Sequence, residues 1–279
     1  AKTFGLIGVA FGLSFFLGNI FVVIFAKNTN NNFIIPVLIA SIIPIINFLL
    51  VLFYLPETKP DNNLNKPKPI FKNPLKQLFT VFKEGKVRKL SLAFFIYFIA
   101  FTGLTNILIF FLQESLNWTT KESSGTLVVV GVLAIIVQGG LIGPLVKQFG
   151  EMRLTLIGSG FILIACSLLI TTPKENATIN IYSAVSFLAI GAGLITPTLR
   201  ALISKKLDVN NQGSILSNLQ GLQSLGGVLG IAMAGRVYDS FGPKSPFIAG
   251  SIILIFMIYL IAESKNNNSI YGEKPKLFL

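Results

Sequence analysis

Apolar residues run through this chain in long blocks, separated by short polar turns and by one long polar segment. A block of about 20 apolar residues, coiled as an α-helix, matches the hydrocarbon thickness of a bilayer. Eight blocks meet or approach that length: Phe4–Ala26, Phe33–Leu55, Leu90–Leu112, Gly125–Val146, Leu154–Ile170, Ile179–Leu199, Gly213–Val237 and Phe247–Ala262. None alternates with a period of two, so the pattern predicts helices and argues against a β-barrel. The connections carry turn chemistry, with Gly150, Pro173 and Gly242-Pro243 between blocks. Asn117-Trp118-Thr119 and Asn176-Ala177-Thr178 match the glycosylation pattern, which is too short to outweigh a chance match.

The long polar segment, residues 56–89, lies after the second block and holds nine Lys or Arg against three acids. Its first part is rich in Pro and Asn and is expected to be extended. In its second part Leu75, Leu78, Phe79 and Phe82 recur at helical spacing, with Lys72, Lys76, Lys83 and Lys86 between them. That pattern predicts a short basic amphipathic helix suited to an anionic leaflet. With eight spans, eighteen of the twenty-three Lys and Arg fall on one side and five on the other. Basic residues collect on the cytoplasmic side of membrane proteins. Both ends of the chain and the 56–89 segment are therefore expected there, in the cytoplasmic (plasma or inner) membrane.

Composition agrees with this picture. Hydrophobic residues make up 52% and charged residues only 12%, about half the charged share of soluble domains. The net charge of +12 would point to nucleic acid in a soluble protein. Here the charge sits in loops, so the bilayer is the expected partner and nucleic acid is not. With no His and a single cysteine, Cys166, no metal site or internal disulfide is expected, and no cofactor.

The spans hold no Asp, Glu or Lys, and Arg200 and Arg236 fall near helix ends. Intramembrane carboxylates are the usual proton carriers, so this stretch supplies none. Uncharged polar groups do occur at depth. Phe95, Phe98, Thr102, Asn106 and Gln113 form one stripe of the third span, Gln138 sits in the fourth, and Thr196 and Thr198 flank Pro197. Ser217, Asn218, Gln220, Gln223 and Ser224 lie in the seventh. Such groups need partners in lipid, either across helices or in a water-filled cavity. Thr102, Asn106, Gln138, Thr196, Gln220 and Gln223 are the candidates for a substrate cavity. Gly12 and Gly18 in the first span, and Gly226 and Gly230 in the seventh, are candidates for close helix packing. Without a nucleophile–base pair, a phosphate-binding loop or an acidic cluster, catalysis is not expected.

The order of these features resembles the major facilitator superfamily, within it the twelve-helix drug-efflux branch that includes tetracycline exporters. Gly143-Pro144-Leu145-Val146-Lys147-Gln148-Phe149-Gly150-Glu151-Met152-Arg153 is similar to the second-half copy of the family's basic loop motif, G-x-L-a-D-r-x-G-r-r. The sixth and seventh spans resemble the family's tenth and eleventh helices, and AGRVYDSFGPKSPF resembles the turn that follows them. The first span is similar to the fifth helix, home of the antiporter motif g-x-x-x-G-P-x-x-G-G. This chain departs from the pattern at Asn19, where that motif has Pro, at Val22-Val23, where it has paired Gly, at Lys147, where the loop motif has Asp, and at Gln212, where a basic residue is common.

The resemblance implies an all-α polytopic membrane protein with eight transmembrane helices of a two-bundle fold. Residues 1–55 would be the last two helices of the first bundle, 56–89 the central linker, 90–262 a complete second six-helix bundle, and 263–279 a polar tail. Four further helices would be expected before residue 1. The implied function is secondary active transport by alternating access, as efflux of a small amphiphilic molecule, with H+ or another ion as coupling species. Gly143, Gly150 and Arg153 would serve the inner gate. An uptake permease of the same fold, or a transporter-derived membrane protein that no longer transports, is the alternative.

Overall fold

The computed structural model describes residues 2–28, 34–55, 78–83, 85, 87–173, 177–207 and 209–270. Among them there is no strand. The helices are α1 (Lys2–Asn28), α2 (Ile34–Tyr54), α3 (Arg88–Leu116), α4 (Thr120–Ile135), α5 (Ile142–Thr171), α6 (Ala177–Lys205), α7 (Val209–Phe241) and α8 (Ser245–Ile270). A π-helical turn, Ile136–Leu141, joins α4 to α5 without a break, and a 3₁₀ turn, Phe79–Lys83, precedes α3. Six stretches are long and apolar enough to cross a membrane, and α1 contributes a shorter apolar run, Gly12–Ile24. The predicted fourth span corresponds to Thr120–Phe149 and the fifth to Glu151–Thr171. The α7 helix falls outside that set because Gln, Asn and Ser interrupt its apolar face.

The ends of these elements follow from local chemistry. Gly150 divides α5 with φ 74° and ψ 158°, a conformation that a Cβ would disfavour. Asn117 closes α3 in the left-handed conformation, which Asn tolerates better than most residues. Two residues on, Thr119 caps α4 in a reciprocal capping box: its hydroxyl accepts from the Glu122 N–H, and its own N–H donates to the Glu122 carboxylate at 2.8 Å. The Asn117-Trp118-Thr119 triplet thus ends one helix and starts the next.

Lipid tails are as apolar as leucine, so helix association in a membrane depends on close packing more than on burial. Three crossings here are built on facing glycines. A Cβ on Gly103 of α3 would lie 2.8 Å from the Gly230 carbonyl oxygen of α7. One on Gly158 of α5 would lie 2.8 Å from the Gly191 carbonyl oxygen of α6. One on Gly131 of α4 would lie 2.8 Å from the Gly12 carbonyl oxygen of α1. These pairs mark the three most extensive helix contacts among the described residues. Around them the core is aliphatic and aromatic, with Phe94, Tyr97 and Phe111 of α3 and Phe247 of α8 fully or nearly fully buried. Phe111 and Phe247 meet edge to face at 5.2 Å. By contrast α2 packs only on α1, and none of Val37–Tyr54 is buried among the described residues.

Side-chain pairs tie the helix ends on both faces of the bundle. On one face Lys89 pairs with Glu263, and Lys205 with Glu151. On the other, the Tyr238 hydroxyl donates to Glu114 at 2.8 Å, and Trp118 lies tilted against Tyr182 at 6.3 Å. Part of the predicted amphipathic helix, including Leu75, lies outside the described residues. Its end turns its apolar side chains into the bundle: Val81 is fully buried, Phe82 meets Phe95 edge-on, and Leu78 contacts Gly221, while Phe79 stays exposed.

Candidate functional site

Five helices surround a cavity of about 100 Å³. On α6 its wall is a single helical stripe, Ala189, Ala192, Gly193, Thr196, Pro197 and Arg200, spaced by one, three and four residues. Pro197 removes the N–H that the Gly193 carbonyl would otherwise meet one turn back. Phe98 and Phe101 enter from α3, Gly12 and Phe15 from α1, and Gln223 from α7. Val130, Ala134 and Gln138 line it from α4 and the π turn.

The π turn has a readable cause. Pro144 can supply no N–H to the Gly140 carbonyl and its ring crowds that oxygen. The chain widens just before it, and the Ile142 N–H bonds to the Val137 carbonyl over a five-residue step. Gln138 sits within this turn and is only 9% exposed. Its amide makes no hydrogen bond among the described residues and faces the cavity. Turns of this kind recur at functional positions.

Arg200 is also only 9% exposed. Its Nη2 donates to Gln220 Oε1 at 2.8 Å and to Gln223 Oε1. Its guanidinium lies over the Phe94 ring, 5.7 Å from the centroid. Two amide oxygens and a ring face offset part of the cost of burying the charge. Among the described residues no carboxylate pairs with it. One turn away the Tyr97 and Thr196 hydroxyls share a hydrogen bond at 3.3 Å. The cavity thus has a cationic, amide-rich end and an apolar, aromatic body.

Of the residues singled out from sequence, Gln138, Thr196 and Gln223 line this cavity, and Gln220 braces Arg200 beside it. Thr102 and Asn106 are placed elsewhere. The Asn106 amide turns back onto the Thr102 carbonyl at 2.9 Å and is exposed, and the Thr102 side chain lies against Gly227 of α7. The third-span stripe is therefore split, with Phe98 alone reaching the cavity. Gly150 sits at the break in α5, Gly143 in open space within it, and Arg153 is exposed. The ion pair at that break is made by Glu151 with Lys205, not by Arg153. Gly12, Gly226 and Gly230 lie at tight crossings, whereas Gly18 has open space around it.

From the sequence Arg200 is expected near a helix end, among the loop cations. It lies inside α6, which continues to Lys205. The signal was the apolar Ala201-Leu202-Ile203 beyond it, together with the stripe that leads to it from Ala189. Without Arg200 the charge count of one side falls from eighteen to seventeen, against five.

The sequence profile of the Major Facilitator Superfamily matches residues 1–231. Among curated relatives, the tetracycline resistance protein of class H from Pasteurella multocida is 27% identical over 239 residues, covering 85% of this chain and 58% of its own length. Hippocampus abundant transcript-like protein 1 of Bos taurus is 21% identical over 277 residues, with 85% and 53% covered. The chain spans about half the length of the curated relatives it matches. The crystal structure of the human organic anion transporter MFSD10 (TETRAN) superposes with a TM-score of 0.73 at 19% identity, over 93% of this chain and 63% of that one. At that identity the likeness is one of fold.

Proposed function

We propose that this chain, which belongs to the major facilitator superfamily, is part of a secondary transporter that exports a small amphiphilic molecule by alternating access. The observation that carries this reading is the cavity: apolar and aromatic along its length, polar at one end, and walled by α1 together with α3, α4, α6 and α7. Buried sites with a few convergent polar groups are the ordinary form of a small-molecule site. Residues 1–55 then belong to one bundle and 90–262 to the other, joined by the 56–89 linker, so that α1 brings the first bundle to the cavity wall. Rocking one bundle against the other would open the site to each side in turn. Export agrees with the similarity to a tetracycline resistance protein. The same reading places both ends of the chain in the cytoplasm and the protein in the cytoplasmic membrane, without a catalytic role.

A volume of about 100 Å³ holds only a few water molecules, well below the range of about 300–1,000 Å³ for ligand pockets. A substrate of that size therefore requires the walls to part. The test is efflux from cells carrying the full-length protein, loaded with a panel of fluorescent amphiphiles. Export of at least one compound, reduced by Thr196→Val and Gln138→Leu, is the expected result. Equal retention of every compound with and without the protein overturns the reading.

A further inference from the structure

We infer that the substrate carries an anionic headgroup, and that Arg200 is the residue that recognises it. This rests on the transport reading above and names the substrate class of the same site. Three observations lead to it. Arg200 is buried at one end of the cavity with no acid beside it among the described residues. A guanidinium has five N–H donors, and only Nη2 is engaged, on Gln220 and Gln223. The Nη1 and Nε donors therefore remain for a ligand. Finally, Gln138 is nine-tenths buried as a residue, lines the same cavity, and its amide has no partner among the described residues.

A buried cation held by neutral groups is costly, and the cost is recovered when an anion arrives. The Gln220 and Gln223 oxygens and the Phe94 ring hold the guanidinium in place. Its planar fork then suits a carboxylate or sulfonate better than a lysine would. From Ala189 to Arg200 the α6 stripe rises roughly 16 Å at 1.5 Å per residue. An aromatic or aliphatic body of that reach would lie along Phe98 and Phe101 while its charged head met Arg200. A neutral amphiphile would leave the buried charge unanswered, and a cationic one would be repelled.

The experiment uses the full-length protein in detergent and two probes of one shape, 1-naphthylacetate and its neutral amide, 1-naphthylacetamide. Binding is measured by isothermal titration calorimetry for the wild type, Arg200→Gln, Arg200→Lys, Gln138→Leu and the exposed-cation control Lys121→Gln. The expected result is that the wild type binds the anion at least tenfold more tightly than the amide. Arg200→Gln removes that preference, Arg200→Lys keeps part of it, and Lys121→Gln keeps all of it. A charge-assisted hydrogen bond commonly accounts for about tenfold or more. Where Arg200→Gln fails to fold, Arg200→Lys and Gln138→Leu still report, each lowering anion affinity several-fold with little effect on the amide. Equal binding of both probes, or a preference that survives Arg200→Gln, overturns the anion assignment and leaves the transport reading standing. Binding of neither probe, with efflux of other compounds intact, likewise overturns it.

Discussion

Gly103 of α3 and Gly230 of α7 stand so close that a Cβ on the first would lie 2.8 Å from the carbonyl oxygen of the second. A methyl group there has only backbone to press against, so the helices must separate. Gly103→Ala is expected to destabilise the protein by about 1–3 kcal/mol, read as a lower unfolding temperature in detergent. Gly18→Ala, with nothing near the new atom, should leave that temperature unchanged. Equal effects of the two variants would show that the crossing does not depend on the glycine contact.

The π turn and Gln138 form a second linked pair. Pro144→Ala restores an N–H to the helix and allows an ordinary turn to replace the π turn. Gln138 would then rotate out of its present direction. Affinity for transported compounds is expected to fall as far in Pro144→Ala as in Gln138→Leu, with little further loss in the double variant. Additive losses would separate the proline from the glutamine.

Gln138 also allows stability to be told apart from function. It is largely buried and its amide makes no hydrogen bond among the described residues, so Gln138→Leu breaks no bond of the fold at little change in volume. The unfolding temperature should hold or rise while efflux falls. A fall in both would mean that the amide serves the fold.

At the break in α5, Glu151 pairs with Lys205 across the end of α6, and the Lys205 side chain is 64% exposed. An ion pair this open is worth at most about 1 kcal/mol, too little to matter for folding. Under the transport reading proposed above, a latch of this kind between α5 and α6 would act on the balance between transport conformations. Glu151→Gln is expected to alter transport rate and its dependence on ionic strength while thermal stability stays within error. Unchanged rates in both low and high salt would exclude the latch.

The legible part of this molecule was what repeats. Long apolar blocks located each helix, with ends that differ by up to eight residues, since few other structures can satisfy twenty successive backbone groups in lipid. The loop glycine at Gly150 and the polar depth residues Gln138, Thr196 and Gln223 were likewise visible. What could not be read was rotation. Thr102 and Asn106 share the third span with Phe98, yet one helical face was enough to send them to α7 and to the exterior. The partners Gly131, Gly158 and Gly191 are not legible in the sequence because a packing glycine has meaning only beside the glycine it meets. Arg200 is obscured for a related reason: its charge ends the apolar block at Leu199, whereas α6 continues to Lys205.

Trp118 is the only tryptophan in the sequence, and it lies half-buried against Tyr182 where α3 gives way to α4. That junction stands on the face opposite the Glu151–Lys205 pair. In the transport cycle proposed above, opening on this face would change what surrounds the indole, so this part of the protein would hold a built-in optical gauge of which side is open. Emission from this native side chain would then report the opening of that face, with no label attached.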